Sequence, residues 1–257
     1  MISFDLMRIL RIFLSWLWKL YFGICFLIST LIFYPIILPF LFSEKNKKKS
    51  FKLFVAWSWC VRFFGFYPVK KVIDSEFPKG PFVIVANHTS YLDIFLLPSI
   101  MSKHPFLFLG KSEILRYPLI KTYFKRLNIP VYRGGGIKAA KALISASNEI
   151  KKGWSLVIFP EGEIPKIEHP KMIPFMDGAF QLAKNAKVPI VPITFLNNYK
   201  RFSDPEEVTG PAGPGICKVY IHPFISAEEV TTIGKEELNK KCFDIVNGPI
   251  IEHFPNL

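Results

Sequence analysis

The distribution of apolar residues divides the chain into two unlike parts. From about residue 81 onward, short apolar runs alternate with amphipathic stretches. The runs are apolar at consecutive positions, a pattern typical of strands that are buried on both faces of a sheet. The predicted strands are Pro81–Ala86, Pro105–Leu109, Ile129–Tyr132, Ser155–Phe159, Val188–Phe195 and Lys218–His222.

Amphipathic segments between these strands predict helices. Strands that alternate with helices favour an α/β fold, with a mainly parallel central sheet flanked by helices. In such folds the functional groups gather at the ends of the strands. The predicted helices are Tyr91–Met101, Ile114–Leu127, Ile137–Lys152, Gly178–Lys187 and Ala227–Phe254.

The N-terminal part is more apolar. Leu20–Phe42 is a run of 23 residues without a charged side chain, and a membrane-spanning helix needs roughly 20 apolar residues. Pro35 and Pro39 would kink or end a helix in its second half. Three basic residues precede the run and five follow it, which favours a cytoplasmic C-terminal flank. Basic flanks on both sides also suit a hairpin that enters one leaflet.

The segment after this run allows two interpretations. Phe51–Phe66 is rich in aromatic residues and also contains Lys52 and Arg62. Aromatic and basic side chains together are typical of the headgroup level of a membrane, but a core helix of the following domain would look similar. We predict N-terminal membrane-anchoring helices over residues 1–68 and an α/β domain over residues 69–257.

Composition and charge favour a membrane partner. The mean hydropathy is +0.28 and the net charge is +13. This excludes a disordered chain and favours an anionic membrane surface over nucleic acid as the partner. The four cysteines are far apart in the sequence, which predicts neither a disulfide framework nor a zinc site and favours a reducing compartment.

The first candidate for chemistry follows the strand Pro81–Ala86. His88 lies in the expected turn and Asp93 in the first turn of the next helix. Such a turn can place the imidazole on the carboxylate, and a carboxylate that orients a histidine makes it a general base. Asp93 could instead only cap the helix, since Ser90 and Asp93 match a capping box.

Three further segments interrupt the pattern, two of them at strand ends. Arg133-Gly134-Gly135-Gly136 precedes a helix and is suited to an anion such as a phosphate. Glu161, in Phe159–Glu163, could orient Arg133 or bind a substrate hydroxyl. The prolines of Val188–Ile193 suit a strand at a sheet edge or along an apolar pocket, although an ordinary buried strand is equally compatible.

Together these segments resemble the glycerolipid acyltransferase family, and specifically bacterial 1-acylglycerol-3-phosphate acyltransferases. The family's four ordered blocks match Asn87–Asp93, Ile129–Arg133, Phe159–Gly162 and Val188–Pro192. A family segment that contains a lysine matches Gly110–Glu113. The resemblance covers roughly residues 70–225. The third block departs from the family, because Ile164 stands where the family has arginine, and Lys166 or Lys171 could substitute.

The resemblance implies transfer of a fatty acyl chain from a thioester to the free hydroxyl of 1-acylglycerol-3-phosphate at a bacterial inner membrane, with the catalytic domain on the cytoplasmic side. The donor would be acyl-CoA or acyl carrier protein, with no cofactor or metal. The sequence lacks G-x-S-x-G, so direct attack by the acceptor is simpler than an acyl-enzyme. The implied catalytic residues are His88 and Asp93, and the implied substrate-binding residues are Asn87, Lys111, Arg133, Gly134, Glu161 and Gly162.

Three alternatives remain at this point. The acceptor could be another lysolipid, including an acylated amino acid with a free hydroxyl, because the family arginine is missing. The same histidine base could serve a hydrolase. The chain could also be a lipid-binding protein without catalysis, although intact His88, Asp93 and Glu161 argue against that.

Overall fold

A central sheet organises the protein. A computed structural model describes residues 2–116, 118–131 and 136–256. Within these residues seven strands form one sheet in the order β1-β7-β6-β2-β5-β3-β4. The strands are β1 (Val69–Asp74), β2 (Val83–Ala86), β3 (Phe106–Lys111), β4 (Ile129–Val131), β5 (Ser155–Ile158), β6 (Ile190–Phe195) and β7 (Cys217–Ile221).

The predicted α/β fold with a mainly parallel sheet is confirmed. Neighbouring strands run parallel except β6 and β7, which are antiparallel. All residues of β2, β5 and β6 are buried, which explains their continuous apolar sequences. The helices are α1 (Ile2–Ile37), α2 (Glu44–Phe64), α3 (Leu92–Ile100), α4 (Pro118–Leu127), α5 (Gly136–Lys151), α6 (Gly178–Ala186), α7 (Asn198–Arg201), α8 (Ala227–Thr232) and α9 (Lys235–His253).

Strand β1 and the last predicted helix show the largest differences from the predictions. Strand β1 was not predicted, because five of its six residues are exposed at the sheet edge and they form no apolar run. The predicted helix Ala227–Phe254 is two helices, because residues 233 and 234 are extended and Gly234 begins the second helix.

The edge interpretation of the proline-containing strand is wrong. Strand β6 lies between β7 and β2 and is fully buried. The sheet accommodates Pro192 because this residue faces the chain just beyond the end of β7, where His222 N donates to the Pro192 carbonyl at 3.1 Å. Pro192 accepts this bond but cannot donate the reciprocal one, and this loss falls beyond the last residue of β7.

The N-terminal helices pack against the sheet domain. Helix α1 contains Pro35, ends at Ile37 and continues as a short 3-10 helix, Leu38–Phe42. Helix α2 packs on α3, where the Ser58 hydroxyl donates to the Phe95 carbonyl at 2.6 Å. The opposite side of α2 exposes Trp59 and Phe63, so α2 has features of both interpretations of this segment. The division at residues 68 and 69 stays a prediction.

Candidate active site

The candidate site lies at the carboxyl ends of β2 and β5. The parallel pairing of these strands places the chain after Ala86 beside the chain after Ile158. The side chains at such ends are free of the ladder and can converge. Here they bring His88 and Glu161 together, although 73 residues separate them in the sequence.

Asp93 is the centre of this site. Its Oδ2 lies 2.9 Å from His88 Nδ1 and accepts from the backbone N–H groups of Thr89, at 2.8 Å, and Ser90, at 2.9 Å. The other oxygen, Oδ1, accepts from Asn198 Nδ2 at 2.7 Å. The buried carboxylate therefore caps the start of α3 and contacts the imidazole at the same time, so the two interpretations of Asp93 are compatible.

The ring of His88 is held in one orientation. It stacks on Phe159, with the ring centroids 4.2 Å apart and an angle of 18° between the planes. Because a carboxylate only accepts hydrogen bonds, the bond to Asp93 places a proton on Nδ1 and leaves the Nε2 lone pair for another partner. None of the described residues bonds to Nε2, and 12% of the side chain is exposed. With Nδ1 held by Asp93, Nε2 is the ring nitrogen that is able to accept a proton from another molecule.

Asn87 holds two strand ends together. Its Nδ2 donates to the Phe195 carbonyl at 2.9 Å, and its Oδ1 accepts from Phe195 N at 2.8 Å. The residue is fully buried. The amide therefore binds the end of β6 and positions His88, which is the next residue, and the predicted contact of Asn87 with substrate stays a prediction.

Glu161 supports the turn that carries His88. Its Oε1 accepts from His88 N at 2.8 Å and its Oε2 accepts from Ile173 N at 3.0 Å. Burial raises the pKa of Glu161 to about 7, against the opposing effect of the two N–H donors. With both oxygens bonded to backbone N–H groups, Glu161 joins three segments of the site, and its predicted contact with substrate stays a prediction.

Gly162 is required by the turn after Glu161. Its φ is +75°, in the left-handed region that favours glycine. A Cβ atom there would lie 2.1 Å from the Met176 Cε. Gly162 therefore serves the backbone, and its predicted contact with substrate stays a prediction.

The candidate phosphate ligands are only partly placed. Lys111, at the end of β3, lies with its Nζ 3.1 Å from Glu163 Oε2, and both side chains are partly exposed. Ile164, at the position of the family arginine, is buried. Lys166 is exposed and pairs with Glu206 at 2.7 Å. Arg133 and Gly134 lie outside the described residues.

Sequence reasoning missed three contributions to this site. Asn198 fixes Asp93, Phe159 fixes the His88 ring, and Phe202 accepts from the Ser90 hydroxyl at 2.6 Å through its carbonyl. The pair Asn197-Asn198 directly after a buried strand was an available signal, because polar residues at strand ends are the general mark of such a site. The described residues contain no group of three or more side chains that could hold a metal ion.

Known proteins resemble this chain over much of its length. The family model described as Acyltransferase matches residues 68–196. A putative 1-acyl-sn-glycerol-3-phosphate acyltransferase, acl-1 of Caenorhabditis elegans, is 30% identical over an alignment of 244 positions that covers 89% of this chain and 84% of that protein. The chloroplastic 1-acyl-sn-glycerol-3-phosphate acyltransferase BAT2 of Brassica napus is 28% identical over 85% of this chain and 65% of that protein.

A solved structure shares the fold. The crystal structure of PlsC, the 1-acyl-sn-glycerophosphate acyltransferase of Thermotoga maritima, superposes with a TM-score of 0.75 at 24% sequence identity. The superposition covers 94% of this chain and 97% of that one, so it includes the N-terminal helices. With a family model that matches half of the sequence and a relative that matches along most of its length, the chain belongs to the acyltransferase family.

Proposed function

We propose that this protein transfers a fatty acyl chain from an acyl thioester to the free hydroxyl of 1-acylglycerol-3-phosphate, which gives phosphatidate. The family membership and the names of the relatives support this reaction. The observation that carries the proposal is the 2.9 Å contact between His88 Nδ1 and the buried Asp93 carboxylate, with Nε2 left open.

His88 acts as the general base in this proposal. Its Nε2 takes the proton of the acceptor hydroxyl as the oxygen attacks the thioester carbonyl, and the Asp93 carboxylate stabilises the imidazolium that forms. The tetrahedral intermediate then expels the thiolate, which receives the proton from His88. The new ester and the free thiol balance the reaction, and the histidine returns to its neutral state.

The donor is a thioester on coenzyme A or acyl carrier protein. Both carriers are anionic, and the chain has a net charge of +13, so electrostatic attraction favours their encounter with the protein. A thiol with a pKa of about 8.5 leaves far more readily than an alcohol. The site therefore needs one well-placed base and no covalent intermediate on the protein.

As the family resemblance implies, we assign binding of the acceptor's phosphate to Lys111 and Arg133. A competing acceptor is a lysolipid without a phosphate, such as an acylated amino acid with a free hydroxyl. Two features favour this competitor: Ile164 is a buried apolar residue where the family has arginine, and Glu163 already pairs with Lys111.

Glu163→Gln distinguishes the two acceptors. Removing this charge frees Lys111 for a phosphate, so the KM for lysophosphatidate should fall several-fold, roughly the effect of a partly exposed ion pair. The KM for a phosphate-free acceptor should not change. Asp74→Asn is the matched control, since Asp74 pairs with Lys71 at a similar exposure and lies on the edge strand β1.

Helix α1 lies along the domain, and it is the element that we propose to contact the membrane. Contacts between α1 and the rest of the chain extend from Ser15, which accepts from Ala212 N, to Tyr34, whose ring packs on Tyr123. This part of the helix is about 28 Å long, close to the roughly 30 Å of a bilayer core. If α1 crossed the bilayer perpendicular to its plane, the domain packed along this helix would lie in the hydrocarbon core. The packing therefore supports insertion of α1 into one leaflet.

The exposed side of α1 is suited to such insertion. Of the described residues, Leu6–Phe42 alone is long and apolar enough to cross a membrane, and large apolar side chains such as Ile9, Phe13 and Leu31 are more than half exposed. The lysine-rich start of α2 favours the anionic cytoplasmic leaflet. We place the catalytic domain in the cytoplasm at the bacterial inner membrane.

Topology can be tested with tags on both termini of the full-length protein. Insertion into one leaflet keeps both tags inside, so a membrane-impermeant label added to intact spheroplasts should modify neither. A spanning α1 would expose the N-terminal tag to the label.

The reaction is tested with purified protein, lysophosphatidate and either acyl-CoA or acyl carrier protein thioester. The expected product is phosphatidate, identified by mass spectrometry, with His88→Ala as the inactive control. Release of free fatty acid in the absence of an acceptor would indicate a hydrolase. If no product formed with any donor and acceptor, the result would favour a lipid-binding protein without catalysis. A clear preference for the phosphate-free lipid would overturn the assignment of lysophosphatidate as the acceptor, but it would leave the assignment of acyl transfer unchanged.

A further inference from the structure

A cleft separate from the catalytic histidine lies beside the N-terminal half of α1. It has a volume of about 400 Å³ and is bounded by α1 on one side and by the chain from Lys200 to Gly213 on the other. Helix α7 separates the two sites: Asn198 binds Asp93, whereas Lys200 and Arg201 line the cleft.

Cationic side chains line both sides of the cleft. Arg11 lies on the α1 side, and Lys200 and Arg201 of α7 lie on the other side. In the part of the chain that the structure describes, none of the three lies within 4.0 Å of a carboxylate. Arg201 donates to the carbonyl oxygens of residues 214 and 216, each 3.3 Å away, and Lys200 Nζ lies over the rings of Tyr199 and Phe254.

The α1 side of the cleft is otherwise mainly apolar. Met7, Leu10 and Leu14 line it beside Arg11, and each of these three is more than half exposed. The same apolar surface continues along α1 in both directions, with Leu6, Ile9, Phe13 and Leu17 exposed. The cleft therefore opens onto the surface that the proposed function places in the membrane.

These cations and apolar side chains together define the chemistry of the ligand. A free phosphate would pair with the cations and leave the apolar side chains in water, and an uncharged lipid would leave the three cations without an anionic partner. An anionic amphiphile contacts both kinds of side chain. The volume lies in the range of roughly 300–1,000 Å³ that is usual for ligand sites, enough for a headgroup and the first part of an acyl chain.

We propose that this cleft binds one anionic phospholipid of the surrounding membrane. Its phosphodiester lies between Arg11 and Lys200, and one acyl chain follows Met7, Leu10 and Leu14. The bound lipid ties α1 to the domain at the membrane surface. This site is distinct from the acceptor site, and its occupancy does not depend on acyl transfer.

The test is lipid binding to the full-length protein in a nonionic detergent, followed by native mass spectrometry. The probes are short-chain phosphatidylglycerol, short-chain phosphatidylcholine and glycerol 3-phosphate. The first has both a net negative charge and acyl chains, the second has acyl chains without a net charge, and the third has the charge without acyl chains. The variants are Arg11→Gln/Lys200→Gln and the control Lys151→Gln/Lys240→Gln, which loses the same charge from exposed positions on α5 and α9.

Wild type and the control should bind phosphatidylglycerol more tightly than either other probe. The cleft variant should bind it at least tenfold more weakly, since it loses two charged partners. Three results would overturn the proposal: binding by the cleft variant within about twofold of wild type, an equal loss in the control, or equal binding of phosphatidylcholine. Because binding is the readout, an inactive preparation still decides the question, and a failed acyltransferase assay leaves the proposal intact.

Discussion

Removing the Asp93 carboxylate and removing the His88 imidazole should lower activity similarly but stability very differently. His88→Ala deletes the proposed base. Asp93→Ala deletes the group that orients this base and stabilises its protonated form. A positioned base contributes about 10²–10⁴ in rate, so we expect both variants to lose at least a hundredfold in kcat.

The difference in stability follows from the hydrogen bonds of Asp93. Its carboxylate accepts from the buried N–H groups of Thr89 and Ser90 and from Asn198. Leaving a buried donor unsatisfied costs about 1–3 kcal/mol each, so the two backbone groups alone amount to about 2–6 kcal/mol. His88→Ala leaves no buried N–H without a partner. It loses its stacking on Phe159, worth about 0.5–1.5 kcal/mol, and one of the four hydrogen bonds of Asp93, whose carboxylate keeps the other three.

Melting temperature and initial rate, measured on the same detergent-purified samples, check this pair of effects. A loss of 1 kcal/mol lowers Tm by about 2–4 °C in a protein of 150–250 residues. We therefore expect Asp93→Ala to melt about 5–20 °C below wild type and His88→Ala within a few degrees of it. Asp244→Ala, an exposed acid on α9, is the control and should change neither quantity.

Two results would refute this reasoning. If His88→Ala kept more than about a tenth of the activity, His88 would not be the general base. If Asp93→Ala had the same Tm as wild type, the carboxylate would not be needed to satisfy the N–H groups of Thr89 and Ser90. Its contact with the imidazole would then lack the structural support described above.

Three further predictions concern residues around this pair. Gly162→Ala should destabilise the protein by about 1 kcal/mol or more, because its φ is +75°; Gly178→Ala, with no atom within 4 Å of the added Cβ, should not, and equal Tm values for the two would contradict the strained turn. Burial raises the pKa of Glu161 from 4.5 to about 7, so the folded state binds more protons in this range and the contribution of Glu161 to stability should fall as pH rises from about 4.5 to 7. Glu161→Gln should flatten that part of the Tm profile between pH 5 and 8, and an unchanged slope would show that another group causes it. Asn198→Ala should lower kcat with little effect on KM, because it acts through Asp93; a change in KM alone, measured by initial rates, would point to direct substrate contact.

Much of the fold could be predicted because burial leaves a direct trace in the sequence. Strands β2 and β5 consist of consecutive apolar residues, since both of their faces are covered. Strand β1 left no such trace, because it lies at the edge and exposes most of its residues. The interior position of β6 was equally hidden, since prolines are compatible with an interior strand only where a neighbouring strand ends.

The contact between His88 and Asp93 was predictable for a different reason. Five residues separate them, so the geometry of one turn and the start of one helix is enough to bring them together. The partners of these two residues are 73 and 105 positions away, at Glu161 and Asn198. Which strand ends meet depends on the order of strands in the sheet, and a single sequence does not encode that order in any local pattern.

By itself, then, the sequence determined the class of fold, the apolar N-terminal segment and the pairing of a histidine with a carboxylate, because each depends on burial or on neighbours in the chain. Only the tertiary structure decided that Asn87 and Glu161 hold the backbone of the site together, and that α1 lies along the domain for about the thickness of a bilayer core. These features depend on contacts between distant segments. Such contacts form when the parallel strands align their carboxyl ends, and they set which polar side chains remain free for chemistry and which are taken up by the fold.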